Sequence, residues 1–221
     1  MIPSNYHPDW QNRRIQFMIG LYGQEFFKNK TILELGAFNG YIGNYFAEVC
    51  GSSVTSVEGR ASNVDLMRSN YPLINSICSD LDTPEWDFGK FDIIINYGLV
   101  YHLQNYHKEH LTNCIKNCDF MFFETVIYDS AEPEISFNPE SGNDQSLSNV
   151  GGTPSTSFIE NIFKENNSKF TKYCDRRLGY KYDWPDADSK IHFGYHRRFW
   201  TVDNIGDKRG LVNLHFEREE D

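Results

Sequence analysis

Apolar segments alternate with amphipathic segments through the middle of the sequence, and this alternation limits the folds open to the chain. Five runs rich in β-branched and aromatic residues are separated by helix-like stretches; they are TILELG, SVTSVEG, INSICSD, FDIIINYG and DFMFFETVIY. Continuous apolar strands joined by helices form a parallel sheet covered on both faces. Nothing helical fits between two later segments, KFTKYCDRRLGY and YHRRFWTVDN, so we expect these two to pair as antiparallel strands. The sequence therefore predicts an α/β fold with a mostly parallel sheet.

The length of 221 residues fits one domain, which we expect to span residues 1–221. Residues 1–30 are predicted to form a helical cap, because apolar side chains recur there at spacings of three and four. Residues 129–157 are rich in Ser, Asn, Pro and Gly. Long loops of this kind are usually lids or disordered inserts. Because the segment follows the fifth strand, we expect a lid over a pocket, with a passive insert as the alternative.

The formal net charge of −10 disfavours nucleic acid and anionic membranes as partners. Three arginine pairs, Arg13-Arg14, Arg176-Arg177 and Arg197-Arg198, form either a local anion-binding patch or solvated surface. Five cysteines without a recognisable leader segment predict reduced thiols in a cytoplasmic protein. We expect no metal site, since the Cys114-x-x-x-Cys118 spacing fits no common zinc pattern. We also expect no membrane span, since no run approaches about 20 apolar residues.

A carboxylate stands at the end of the first strand, just before a glycine turn. Glu34 precedes Gly36, and the glycines continue as G-x-x-x-G-x-x-G. A dinucleotide site prefers G-x-G-x-x-G, and a pyrophosphate would meet both the bulk of Phe38 and the charge of Glu34. A cationic ligand such as S-adenosylmethionine, with its sulfonium and ammonium groups, explains the acid better. The alternative is a carboxylate bonded to nearby backbone amides.

Two more acids mark the ends of the next two strands. Glu58, at the end of the second strand, is placed to accept hydrogen bonds from ribose hydroxyls. Asp80, after the third strand, is placed to accept from an adenine amino group, with Leu81 beside the ring. Three acids at three strand ends predict a positively charged adenosyl ligand.

The segments ILELGAFNG, TSVEGR, CSDL and FDIIINYGLVYHL, in this order, resemble the class I S-adenosylmethionine-dependent methyltransferases over about residues 31–126. The resemblance implies their Rossmann-like fold, a three-layer sandwich with a seven-stranded sheet whose last strand is antiparallel. It implies S-adenosylmethionine as cofactor and S-adenosylhomocysteine as product. The implied cofactor-binding residues are Glu34, Gly36, Ala37, Phe38, Gly40, Glu58, Gly59, Arg60, Asp80, Leu81, Asn96 and Tyr97. Asn96 and Tyr97 would offer backbone carbonyls, and Phe38 replaces a glycine common in the family.

The segment after the fourth strand is expected to hold the catalytic groups. His102 is the candidate general base, because histidine readily takes up a proton near neutral pH. The adjacent Tyr101 is the second candidate catalytic residue. A structural histidine bonded to backbone is the alternative. The candidate substrate-binding residues are Tyr6, Tyr128, Arg197 and Arg198. Strand alternation places the two arginines on opposite faces, so one can point inward and hold an anionic acceptor.

These features predict a methyltransferase that acts by in-line displacement on a small or medium-sized acceptor. A small-molecule acceptor is the expected partner. One alternative is an RNA-modifying enzyme, since GLVYHL loosely resembles a strand end in enzymes that modify transfer RNA wobble uridines. Two others are a non-catalytic cofactor-binding protein and a nicotinamide oxidoreductase, the latter disfavoured by Glu34 and Phe38.

Overall fold

A computed structural model describes residues 8–128, 130–142, 144–173 and 195–204. The predictions for Tyr6, Cys174, Arg176 and Arg177 lie outside these ranges. The helices are α1 (Pro8–Tyr22), α2 (Tyr41–Cys50), α3 (Ala61–Asn70), α4 (His107–Lys116) and α5 (Thr156–Glu165), with short 3-10 turns at Gln24–Phe26 and Val100–His102. The strands are β1 (Thr31–Leu35), β2 (Ser53–Glu58), β3 (Asn75–Cys78), β4 (Phe91–Tyr97), β5 (Cys118–Tyr128), β6 (Ile135–Pro139), β7 (Val150–Pro154), β8 (Lys169–Tyr173) and β9 (Tyr195–Asp203).

Seven strands form one sheet in the order β3-β2-β1-β4-β5-β9-β8. Neighbouring strands are parallel, except that β9 runs antiparallel to both β5 and β8. The predicted mostly parallel seven-stranded sheet with an antiparallel last strand is thus confirmed. The strand order reverses between β1 and β4, and ligands of open α/β sheets bind at the carboxyl ends of the strands beside such a reversal.

The central strands are buried on both faces, which explains their continuous apolar sequences. Successive side chains of a strand point to opposite faces. Phe122 of β5 accordingly packs with α1, α2 and α3 on one face, and Phe123 packs with α4 and α5 on the other. Both rings are fully buried. Burial of each contributes about 1.5–3 kcal/mol, so the two covered faces hold the strand ends in fixed positions.

Residues 129–157 contain a β-hairpin that the sequence did not predict. Strands β6 and β7 pair antiparallel as a separate two-stranded sheet. The hairpin packs closely on the main domain, because Gly152 donates its amide to the Leu103 carbonyl at 2.7 Å and its carbonyl lies 2.7 Å from His107 Nε2. A bridge joins Tyr128 to Ser155, so the segment leaves and rejoins the main sheet at one point.

No helix within the described ranges is both long and apolar enough to cross a membrane. The four cysteines in these ranges, Cys50, Cys78, Cys114 and Cys118, are free thiols. Among the described residues, no group of three or more His, Cys, Asp or Glu side chains is arranged to hold a metal ion.

Candidate active site

An open cleft of about 1040 Å³, its solvent-filled mouth included, lies at the carboxyl ends of the central strands. The predicted cofactor-binding residues that line it are Glu34, Gly36, Ala37, Phe38, Glu58, Gly59, Arg60, Asp80, Leu81 and Tyr97. His102, the predicted base, lines the same cleft. The structure therefore brings most of the sequence-predicted residues together.

Two predicted cofactor-binding residues do not line the cleft. Gly40 caps the start of α2 at φ 75°, and a Cβ there would lie 2.9 Å from side-chain atoms of Met67 and Ile74. Asn96 is fully buried, with its side-chain nitrogen 2.9 Å from Nε2 of His110. Burial lowers the pKa of His110 to about 4, so the ring is neutral. The contact that we predicted for Asn96 involves its backbone carbonyl and stays a prediction.

Glu34 bonds to a nearby backbone amide, which was the alternative considered for it, and it also lines the cleft; its contact with a cationic ligand stays a prediction. Its Oε2 accepts hydrogen bonds from the Gly43 amide at 3.1 Å and from the Ser56 hydroxyl at 2.6 Å. A Cβ at Gly43 would lie 2.5 Å from the same oxygen, so the close approach requires glycine. Its Oε1 accepts no hydrogen bond from the described part of the chain. One carboxylate oxygen thus anchors α2, while the residue also lines the cleft.

Burial raises the pKa of Glu34 to about 7, and the neighbouring charge of Glu58 adds to the rise. The hydrogen bonds from Ser56 and Gly43 oppose it. A cation beside this carboxyl would favour its ionised form.

Glu58 connects the first two strand ends. Its Oε2 accepts from the Phe38 amide at 3.0 Å, and its Oε1 accepts from the Arg60 amide at 3.0 Å and from Asn63 Nδ2 at 3.3 Å. Phe38 has φ 51°, in the left-handed region that costs a residue with a side chain about 1–2 kcal/mol. This is the position at which the resembled family often has glycine, so the backbone keeps a glycine-like conformation despite the substitution.

The third strand end adds two more acids. Asp80 Oδ1 accepts from the amide of Asp82 at 2.9 Å. Asp82 in turn accepts from the amides of Gln104, Asn105 and Tyr106, and so fixes the loop that follows His102. The acids that line the cleft are Glu34, Glu58, Asp80, Asp82 and Asp144. Arg60 is the only lysine or arginine among the described lining residues. This excess of carboxylates favours a cationic ligand.

His102 is paired with a carboxylate rather than with backbone. It lies in the 3-10 turn after β4, and its Nδ1 is 2.7 Å from Oε2 of Glu140, which follows β6. The His102 and Glu140 side chains are 11% and 14% exposed. The Tyr101 ring lies against the His102 ring, with centroids 3.9 Å apart. The sequence reasoning missed Glu140, because nothing in the polar segment around it marks one acid among several.

Arg197 is the member of its pair that turns towards the cleft wall. It donates to Glu124 and, at 3.1 Å, to the Tyr101 hydroxyl. Arg198 instead donates to the carbonyl of Arg197. Neither arginine lines the cleft, and the same holds for Tyr101 and for Tyr128, which is half-buried at the end of β5.

Helix α1, part of the predicted N-terminal cap, adds two residues to the cleft that were not predicted from the sequence. Trp10 and Gln11 line it, and Gln11 Nε2 donates to Asn39 at 2.7 Å beside the glycine turn. The other lining residues not predicted include Asn63, Leu99, Leu103 and residues 144–148. The amphipathic pattern of this helix could have indicated Trp10 as an inward-facing residue. Nothing in the sequence indicated that residues 144–148 line the cleft, since their position depends on a hairpin that was not predicted.

No family model and no curated protein matches the chain, but solved structures do. The N-terminal domain of EvdMO1, solved in the presence of S-adenosylhomocysteine and D-fucose, matches with a TM-score of 0.68 and 16% identity over 89% of this chain and 83% of that chain. The plantazolicin methyltransferase BamL, in complex with a triazolic desmethylPZN analogue and S-adenosylhomocysteine, matches with a TM-score of 0.60 and 12% identity over 89% and 86%.

An S-adenosylmethionine-dependent methyltransferase from Clostridium acetobutylicum matches with a TM-score of 0.60 and 10% identity over 92% of this chain and 94% of that chain. At these identities the likeness establishes the fold. The chain has the Rossmann-like fold of class I S-adenosylmethionine-dependent methyltransferases, as the sequence predicted.

Proposed function

We propose that the protein is an S-adenosylmethionine-dependent methyltransferase that acts on a small or medium-sized acceptor. The observation that carries the proposal is the cleft itself, where acids from three strand ends meet beside a glycine turn. Such a cleft repels the pyrophosphate of a nicotinamide dinucleotide and attracts a sulfonium with an ammonium group. The bound S-adenosylhomocysteine in the matched structures supports the same cofactor.

The residues present fit this cofactor. Glu34 keeps Oε1 for the cationic methionine end, and the backbone carbonyls of Asn96 and Tyr97 are proposed to accept from the ammonium group. Glu58, already held by the Phe38 and Arg60 amides, presents its carboxylate to the ribose. Asp80 and Leu81 flank the adenine. When bound, the cofactor supplies an electrophilic methyl group on sulfur.

The chain's own contribution to transfer is alignment of the acceptor and removal of its proton. In-line displacement requires the nucleophile to be held opposite the leaving group with water excluded. His102 lines the cleft and is proposed to take the proton of the acceptor. Trp10 and Leu99 add apolar surface to the lining of the same cleft. An aromatic wall and a single base suit a small organic acceptor. The structure of coclaurine N-methyltransferase, which matches with a TM-score of 0.52 and 14% identity over 79% of this chain and 52% of that chain, is bound to N-methylheliamine.

Isothermal titration calorimetry with S-adenosylhomocysteine and with NAD tests the cofactor. We expect binding of the first and none of the second. Glu58→Gln is expected to weaken binding at least about tenfold, since an oxygen that accepts ribose hydrogen bonds loses its charge. Glu25→Gln, an exposed acid outside the cleft, serves as the control. Binding of NAD, or no affinity for either compound, would refute the proposal.

A panel of small organic amines, phenols and carboxylates, incubated with methyl-labelled cofactor, tests the reaction. We expect label transfer to at least one compound and its loss in His102→Ala. Tight cofactor binding without transfer to any member would instead favour the non-catalytic cofactor-binding protein.

A further inference from the structure

The loop that joins β6 to β7 forms one wall of the cleft. We call residues 140–142 and 144–148 the insert loop. Residues 144–148 line the cleft together with Glu58, Gly59 and Asp80. The amide of Glu140 donates to the Asn149 carbonyl at 2.9 Å, which closes the loop at its base. The loop therefore reaches from the 3-10 turn that contains His102 to the end of β2.

Glu140 is held in one place by contacts on several sides. Its Oε2 lies 2.7 Å from His102 Nδ1 and also accepts the Ser146 amide at 2.7 Å. A Cβ at Gly151 would lie 2.5 Å from the carboxyl carbon of Glu140 and 2.6 Å from the Tyr101 carbonyl oxygen. The absence of a side chain at Gly151 is thus what lets the carboxylate lie across β7 and reach His102. Both side chains are mostly buried, so the pair is partly shielded from water.

Arg60 fastens the same loop to the end of β2. Its Nη2 lies 2.8 Å from the carbonyl oxygen of Gln145, 3.2 Å from that of Gly142 and 3.3 Å from that of Ser146. Nη2 has two N–H donors, which these three carbonyls share, and the planar guanidinium holds the donors in a fixed direction. The backbone amide of Arg60 meanwhile donates to Glu58. Arg60 thus connects the ribose-binding acid to the loop that carries Glu140.

We propose that Glu140 is the positioning residue for His102, and that Arg60 holds the insert loop in the place from which Glu140 acts. The proposal deepens the proposed function and rests on it, since it assigns His102 the role of base. A carboxylate beside Nδ1 accepts a hydrogen bond from the Nδ1–H group and so fixes the tautomer in which Nε2 carries the free lone pair. The Nε2 lone pair is the one available to take a proton from an acceptor.

The tautomer of His102 is measured directly by long-range ¹⁵N–¹H correlation spectra of the ¹⁵N-histidine protein, at a pH where the ring is neutral. His102→Gln identifies the signal. In the wild-type protein we expect the Nδ1–H form. Glu140→Ala is expected to move the population to a mixture dominated by Nε2–H, whereas Glu140→Gln, which keeps an acceptor oxygen, is expected to retain the Nδ1–H form. Glu134→Ala, which removes an exposed acid of the same hairpin, is the control.

Arg60→Ala is expected to shift the tautomer in the same direction as Glu140→Ala. Arg68→Ala is the matched control, because Arg68 lies on α3 and donates to the Ser76 carbonyl at 3.0 Å, away from the insert loop. An unchanged spectrum in Arg60→Ala would overturn the role of Arg60, and an unchanged spectrum in Glu140→Ala would overturn that of Glu140.

Two further outcomes separate a failure of this proposal from a failure of the proposed function. A wild-type His102 in the Nε2–H form would overturn the proposal even if no variant folds. The spectra need neither cofactor nor acceptor, so a protein that fails to bind S-adenosylhomocysteine refutes the proposed function without altering the tautomer result. A protein that binds S-adenosylhomocysteine but has the wrong tautomer refutes only the positioning role.

Discussion

Arg14 Nε lies 3.2 Å from Glu124 Oε2, and both side chains are completely buried. Arg197 donates to the other carboxylate oxygen of Glu124 from β9. Helix α1 and strands β5 and β9 therefore meet at one charged group inside the protein. Arg14 also lies over the Trp10 ring, 3.7 Å from its centroid, and Trp10 lines the cleft. The pair thus ties the stability of the N-terminal helix to the shape of the site.

Removal of one partner of this buried pair should destabilise the protein strongly. Arg14→Ala removes one of the two arginines that pair with Glu124 inside the protein, and breaking a buried ion pair costs about 3–5 kcal/mol. Urea unfolding measures the loss. Lys28→Ala breaks an exposed pair with Glu25 and is expected to cost less than about 1 kcal/mol. Equal losses of unfolding free energy in the two variants would contradict this prediction, because the buried pair would then stabilise the protein no more than the exposed pair.

The affinity for S-adenosylmethionine should depend on pH through Glu34. Because burial raises the pKa of this carboxyl to about 7, a cation binding beside it must displace a proton at lower pH. Affinity is therefore expected to rise with pH up to about 7, by at most about tenfold per pH unit, and then to level off. Isothermal titration calorimetry at a series of pH values below and above 7 measures this affinity.

Glu34→Gln provides the control for this pH dependence. The amide cannot ionise, so the variant should bind more weakly at pH 8 and should lose most of the rise with pH. A wild-type affinity that falls as pH rises towards 7 would contradict the assignment of Glu34 to the cationic end of the cofactor.

Leu147 should contribute to binding of the adenosyl group. Its Cδ1 lies 2.6 Å from where a Cβ would stand at Gly59, so it fills the space that a side chain after Glu58 would occupy. The side chain is 44% exposed and lines the cleft. Leu147→Ala is expected to weaken S-adenosylhomocysteine binding by roughly three- to tenfold, because part of a leucine is no longer buried against the ligand. Leu73→Ala, outside the cleft, should leave the affinity unchanged.

RNA should not bind with appreciable affinity. The net charge of −10 and the acids that line the cleft oppose a polyanion. Electrophoretic mobility shifts with bulk transfer RNA at 50 and 200 mM salt check this. Tight binding that falls steeply with salt would favour the RNA-modifying alternative, because phosphate contacts release counterions.

The sheet and the acids around its reversal point were predictable from sequence because each depends on local pattern. Glu34 and Glu58 lie at the carboxyl ends of β1 and β2, and Asp80 follows β3. Parallel strands bring their carboxyl ends to the same edge of a sheet. The residue Phe38 obscured the glycine pattern, yet its φ of 51° keeps the turn that glycine would make.

Glu140 and Leu147 could not be predicted, because their positions follow from a hairpin whose second strand contains VGGTP. Glycine and proline ordinarily indicate turns, and here the two glycines are needed for close packing against His107 and Glu140. That requirement is set by residues distant in the sequence and leaves no local periodicity.

The bridge between Tyr128 and Ser155 has an evolutionary consequence. Both ends of the hairpin meet at the carboxyl end of β5, so the hairpin can differ in length without a change in the order of the seven strands. Glu140 and Leu147 belong to this one insertion, so an exchange of the hairpin would change the partner of His102 and the neighbour of Gly59 together. Glu34 and Glu58 belong to strands of the main sheet and would keep their places.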